Sequence, residues 1–218
     1  MNAASDTKPR RKPKKLTRPR IRERMVEAAL ALARTKGWRG LSMAEIAATA
    51  GVPLAEALAV TPSKTEILRA FSQAIDAQVL NGVDPEAAAG EPARDRLFDV
   101  LMSRYDALWP HRPALRAILR DLPEDPGALL AALSPALESM TWMLEAADLD
   151  TSGLRGAMRV RAAGLVYAAN LRVWLSEESA DMAKTMADLD RRLRRAEAWA
   201  ERVSGGASRI GGFIRGIA

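Results

Sequence analysis

Residues 41–53 read Leu41-Ser42-Met43-Ala44-Glu45-Ile46-Ala47-Ala48-Thr49-Ala50-Gly51-Val52-Pro53. Ser42 and Glu45 form a capping box: the serine oxygen takes a first-turn amide and opens a short helix. Met43, Ile46 and Ala47 give that helix an apolar face. Gly51 breaks it, because glycine alone enters the left-handed backbone of a tight turn without strain. A second short helix is expected over Leu54–Val60, closed by Thr61-Pro62. Ala47 is small where two helices must cross closely, and Ile46 and Val52 fix the crossing. Two short helices around Ala50-Gly51-Val52 make a helix-turn-helix. In such a unit the second helix enters the DNA major groove while the first crosses the backbone.

Working outward, a helix is expected before this unit, from about Pro19 to Lys36. Ile21, Met25, Ala28, Ala29 and Leu32 recur on it at steps of three and four. After the unit, Ser63 and Glu66 form a second capping box, opening a helix to about Leu80. Gly82, Pro85, Gly90 and Pro92 then mark a linker. Five helical blocks are expected beyond it: Ala93–Trp109, Pro113–Leu122, Asp125–Ala147 with a bend at Pro135, Ser152–Leu175, and Glu177–Val203. The fold class is all-α, a small N-terminal helix-turn-helix domain followed by a C-terminal helical bundle. The expected division is a disordered basic arm at 1–18, a DNA-binding domain at 19–80, a ligand-binding and dimerisation bundle at 93–203, and a flexible or amphipathic tail at 204–218.

The 218 residues carry a formal net charge of +6, unevenly spread. Residues 1–22 hold nine Lys or Arg against Asp6 alone, a net of +8, which leaves −2 for the rest. Pro9, Pro13 and Pro19 keep this arm out of helix. A flexible cationic arm suits a polyanion, either DNA through counterion release or an anionic membrane surface. There is no Cys and one His, so neither a disulfide framework nor a Cys- or His-rich metal site is expected. His111 has no neighbouring nucleophile, and glycine-rich phosphate loops are absent. No enzyme activity and no cofactor are expected. No apolar run is long enough to cross a bilayer, and a cytoplasmic protein is expected.

This N-terminal part resembles the TetR family of bacterial transcriptional regulators. The resemblance covers roughly residues 20–80. It includes Ala28-Ala29, Gly37, the Ser42–Val52 unit and Pro62-Ser63-Lys64, with no insertion between Gly51 and Lys64. It implies a helical homodimer with a variable C-terminal ligand domain, DNA phosphate contacts from Ser42 and Lys64, and base reading by Leu54–Val60. With the arm, the DNA-binding set is Arg18, Arg20, Arg39, Ser42, Leu54, Glu56 and Lys64. The chain departs from the family at Leu54, Leu58, Ala59 and Thr61, where polar, basic or aromatic residues are usual. Base reading needs donors and acceptors. Here Glu56 is the one charged member of the reading helix.

The C-terminal part carries Met and aromatic residues at helical spacings. Met102, Tyr105, Trp109, Met140, Met143, Tyr167 and Trp174 are candidates to line a pocket for an elongated apolar molecule, and Asn170 is a candidate polar handle. The same set equally suits an ordinary bundle core. This part is also similar to the lipid-binding accessory proteins of ubiquinone biosynthesis, which share the TetR architecture. The similarity lies in residues 94–99, in Leu101-Met102 and Arg104-Tyr105-Asp106, in Pro110-His111-Arg112, in Leu165-Val166-Tyr167 and in residues 171–190. It implies the alternative of a non-catalytic isoprenoid- or lipid-binding protein at the membrane surface. Ile210, Phe213, Ile214 and Ile217 give the chain end an interfacial pattern, although five glycines weaken it. The partners expected are therefore double-stranded DNA, an apolar small molecule or lipid, a second copy of the chain, and a peripheral membrane contact.

Overall fold

The computed structural model describes residues 16–84, 86, 90–122 and 126–215. Most of the basic arm therefore lies outside the described residues. So does part of the linker, and so do the side chains of the amphipathic chain end. The described chain is all-α. It runs α1 Arg18–Lys36, α2 Met43–Ala50, α3 Leu54–Val60, α4 Lys64–Gly82 and α5 Ala93–Leu108. A 3₁₀ turn at Trp109–His111 leads into α6 Arg112–Asp121, then α7 Pro126–Ala146, α8 Gly153–Ser176 and α9 Ala183–Arg215.

The helix ends follow local chemistry. Pro19 sits in the first turn of α1, where a missing N–H costs nothing. Ser42 Oγ accepts from Glu45 N at 3.2 Å, and Ser63 Oγ accepts from Glu66 N at 3.2 Å, so both capping boxes start their helices. Gly51 is left-handed at φ +63°, with its N–H and that of Val52 turned onto the carbonyls of Ala48 and Ala47. α2 and α3 leave this turn bent by 106° from one another.

The α-helix is interrupted at Pro110, which sits in the 3₁₀ turn between α5 and α6. One expectation is corrected. The last helix begins at Ala183 rather than Glu177, and it continues past Val203 to Arg215. Glu177 is buried ahead of that helix. Its carboxylate accepts from Lys184 N and Thr185 N at 3.1 Å, and so satisfies first-turn amides from outside.

The buried side chains fall into two clusters. The first joins Ile21, Met25 and Ala29 of α1 to Ile46, Val52, Ala57 and Ile67, and it takes Ile118 from α6. The second joins Phe71, Ile75 and Val79 of α4 to residues of α5, α7, α8 and α9. α4 therefore serves both clusters, Ile67 below and Phe71 above. α6 contributes Ile118 to the first cluster while flanking the second. These two helices are the mechanical joint between the N-terminal helices and the bundle.

Candidate functional site

The N-terminal helices present α3 to solvent. Ala57 is fully buried and anchors it, while Leu54 and Leu58 are 44 % and 45 % exposed. Ala55 and Ala59 are exposed beside them, and Glu56 is half-buried. Ser42 is exposed at the start of α2, its oxygen engaged in the cap. Arg18 Nη2 donates to the Ala59 carbonyl at 3.0 Å, which ties the start of α1 to the end of α3. Arg20 is exposed and pairs with Glu23 at 2.9 Å.

Lys64 and Arg39 are differently placed. The Lys64 ammonium donates to the carbonyls of Trp38 at 3.0 Å and Arg39 at 3.3 Å, and lies 5.2 Å from the centre of the Trp38 ring. On the other side of the same turn, Asp121 Oδ2 accepts the amides of Trp38 at 2.8 Å and Arg39 at 3.1 Å. These amides, Arg39 first and then Trp38, hold the Asp121 carboxyl below its ordinary range. Gly37 completes the turn at φ +81°, and a Cβ there would stand 3.3 Å from Asp121 Oδ2. The turn between α1 and α2 is thus clamped between the end of α6 and the start of α4.

Above the clamp lies a cavity of about 580 Å³. Its walls come from α4, α5, α6, α7 and α8, and also from Trp38 and Arg39 of the α1–α2 turn and Met43 of α2. Of the residues singled out by their spacing, Met140 and Tyr167 line it. Met102, Tyr105, Met143 and Trp174 are buried in the bundle core. There the Tyr105 ring stacks on Tyr167 at 5.3 Å and on Trp174 at 5.5 Å. Trp109 is half-buried, edge-on to Trp174 and under the Arg112 guanidinium. The Asn170 amide is committed inside the protein, donating to Thr185 O at 3.1 Å and Asp188 Oδ2 at 2.9 Å.

The polar end of the cavity is built from residues that periodicity did not select. Arg104 Nη2 donates to Ser72 Oγ and to Ser139 Oγ, each at 3.0 Å. Its Nη1 stands 3.0 Å from Asp76 Oδ1, off the line of a hydrogen bond, so that contact is Coulombic. Ser139 in turn donates to Asp76 Oδ2. Burial pushes the Asp76 carboxyl up, against the opposing pull of Arg104 and Ser139. A signal for this cluster does exist in the sequence. Arg104 falls on the face of Leu97, Leu101 and Leu108, and Asp76 on that of Ser72 and Val79. A charge at a core position of a helix needs a partner.

Among the described residues no group of His, Cys, Asp or Glu could hold a metal ion. No single described helix is long and apolar enough to cross a membrane. The sequence matches no family model and no curated protein. The fold does match solved structures. A TetR transcriptional regulator from Nitrosomonas europaea aligns with a TM-score of 0.64 and 24 % identity, over 82 % of this chain and 98 % of that one. A TetR regulator from Rhodococcus sp. RHA1 aligns with a TM-score of 0.56 and 21 % identity, over 82 % and 96 %. A tetR-family regulator from Streptomyces coelicolor aligns with a TM-score of 0.52 and 18 % identity, over 89 % of each chain. The chain has the TetR architecture: a helix-turn-helix head followed by a helical bundle.

Proposed function

We propose that the chain is a TetR-like transcriptional regulator. In this reading it is a homodimer, grips duplex DNA through α1–α4 and the basic arm, and binds an apolar small molecule in its cavity. The observation that carries the reading is the shared wall: Trp38, Arg39, Met43 and Lys64 of the head line the same cavity as the bundle. A molecule held there presses on the joint that sets the position of α3. Its differential affinity for two head positions then becomes a differential affinity for DNA, and the coupling is reciprocal. Two reading helices of a dimer must match successive major grooves, so a small rotation of each head suffices. The dimer would use α8 and α9. On α8, Leu154 and Leu165 are 79 % and 74 % exposed, with Met158 between them.

The test is selection from a pool of random duplex DNA at about 0.15 M salt, a level at which phosphate contacts alone bind weakly. A recovered palindrome is the expected result. Lys64→Ala should then weaken all sequences alike and lower the salt slope by about one phosphate. Salt-sensitive retention with no consensus would overturn base reading. It would favour a second reading, a lipid-binding accessory protein with peripheral membrane contact. One observation supports that alternative: the exposed face of α3 is Leu54, Ala55, Leu58 and Ala59, with no base-reading donor. It expects an apolar lipid in native preparations, detected by mass spectrometry after organic extraction.

A further inference from the structure

We propose that the cavity takes an uncharged, largely apolar molecule carrying one carbonyl oxygen, seated with that oxygen at the Arg104–Tyr167 end. This rests on reading the cavity as the ligand site and names the chemistry it selects. The walls, among them Leu68, Phe71, Leu108, Leu115, Met140 and Leu171, reward apolar surface. A pure hydrocarbon, however, would dry out a polar end lined by Ser72, Arg104, Ser139 and Tyr167 and return nothing to it.

The group at that end left to meet a guest is a donor, the Tyr167 phenol. Ser139 spends its proton on Asp76, and Ser72 therefore spends its own on Ser139 across 2.9 Å. Both serine oxygens accept from Arg104. Arg104 Nε and Nη1 and Asp76 Oδ1 have no hydrogen-bond partner among the described residues, but all three are closed off by protein and none reaches a guest. The Tyr167 ring covers the guanidinium at 5.5 Å, and its phenol is the donor on the cavity wall. A phenol is a better donor than acceptor, and beside a guanidinium it suits an acceptor oxygen better than a hydroxyl or an amine.

Charge then excludes ions. Arg104 and Asp76 are each 5 % exposed and neutralise one another. A carboxylate would bring a second anion to a cation already matched, and an ammonium would meet the guanidinium. In a buried site either mismatch is heavily penalised. A carbonyl accepts from the phenol without adding charge. At the opposite end Asp121 and Lys64 are engaged with the Trp38–Arg39 turn.

The test is titration of the full chain with four probes of matched length: methyl octyl ketone, decanoate, decylamine and decane. Trp38 lines the cavity, so intrinsic fluorescence reports occupancy. The ketone should bind at least about tenfold more tightly than the acid or the amine, since a mismatched buried charge costs more than one tenfold step. It should bind about fivefold or more above decane, the worth of a hydrogen bond. Tyr167→Phe keeps the ring and should lower ketone affinity by about fivefold while leaving decane unchanged. Decanoate binding as tightly as the ketone, equal binding of ketone and decane, or no binding by any probe would each overturn the proposal. DNA retention is measured on the same preparation. Retention of a DNA consensus with no ketone preference sinks the ligand class and spares the regulator. A ketone preference with no DNA consensus supports the ligand class and sinks the regulator.

Discussion

Replacing Asp76 by alanine strands the charge of Arg104 in the protein interior. The two groups stand 3.0 Å apart, and each is 5 % exposed. The guanidinium is buried, and the remaining partners, Ser72 and Ser139, are neutral. Removing one member of a buried pair costs about 3–5 kcal/mol. That is a large share of the roughly 5–15 kcal/mol that holds a typical domain together. The pair also links three helices: Asp76 on α4, Arg104 on α5 and, through Ser139, α7. The loss should therefore appear as a lower midpoint in urea with an unchanged slope, because the surface exposed on unfolding stays the same. A second variant separates charge from fit. Asp76→Leu with Arg104→Met substitutes apolar side chains for both partners and should recover most of the loss, as buried pairs exchanged for packed hydrophobes often do. Should Asp76→Ala unfold within about 1 kcal/mol of the parent, the ordinary size of a point-mutant effect, the pairing argument fails. It fails equally if the double variant is no more stable than the single one.

Three other outcomes are expected. Gly51→Val forces a β-branched residue to φ +63°, at about 1–2 kcal/mol, so DNA retention and head stability should fall while probe binding in the cavity is unchanged; an unaltered melting temperature would refute this. Asp121 has a depressed carboxyl pKa, so its contribution to stability is present above the ordinary carboxylate range and is lost as pH falls through the depressed value. Asp121→Asn should flatten that acid limb, and melting temperatures measured from neutral pH downward decide the point. Leu165→Glu places a charge on the exposed face of α8, and sedimentation should show the 23.6 kDa monomer in place of a dimer. A parent chain that is itself monomeric at micromolar concentration would refute the interface.

What could be read from the sequence and what could not divide along a physical line. Local chemistry was legible. Ser42, Gly51 and Ser63 act within four residues of themselves, and α3 begins and ends at the expected Leu54 and Val60. Periodicity identified apolar faces but not what covers them. Met143, Tyr105 and Trp174 have the spacing of a pocket lining and are buried against other helices, because a face at 3.6 residues per turn looks the same in a core and in a cavity. Asn170 faces α9, 15 residues on at Thr185, which no spacing within α8 could show. The start of α9 was misread because Glu177 and Glu178 resemble a first helical turn. Glu177 instead serves Lys184 and Thr185 from seven and eight residues upstream. The Arg104–Asp76 pair joins positions on two helices across the linker, and only the fold puts them together.

The shared wall of the cavity bears on how such a protein is altered. Lining residues on α5, α7 and α8, such as Leu108, Met140 and Leu171, belong to or pack against the bundle cluster. On the proposed reading, changing them alters molecular taste: a new chemical is admitted while the residues that carry the DNA response stay as they are. Trp38, Met43 and Lys64 belong to both the cavity and the turn that carries α2 and α3. Each is a pleiotropic position, where any gain in what is sensed also resets how the signal is delivered. A biosensor built on this scaffold would be diversified at the first group and held constant at the second.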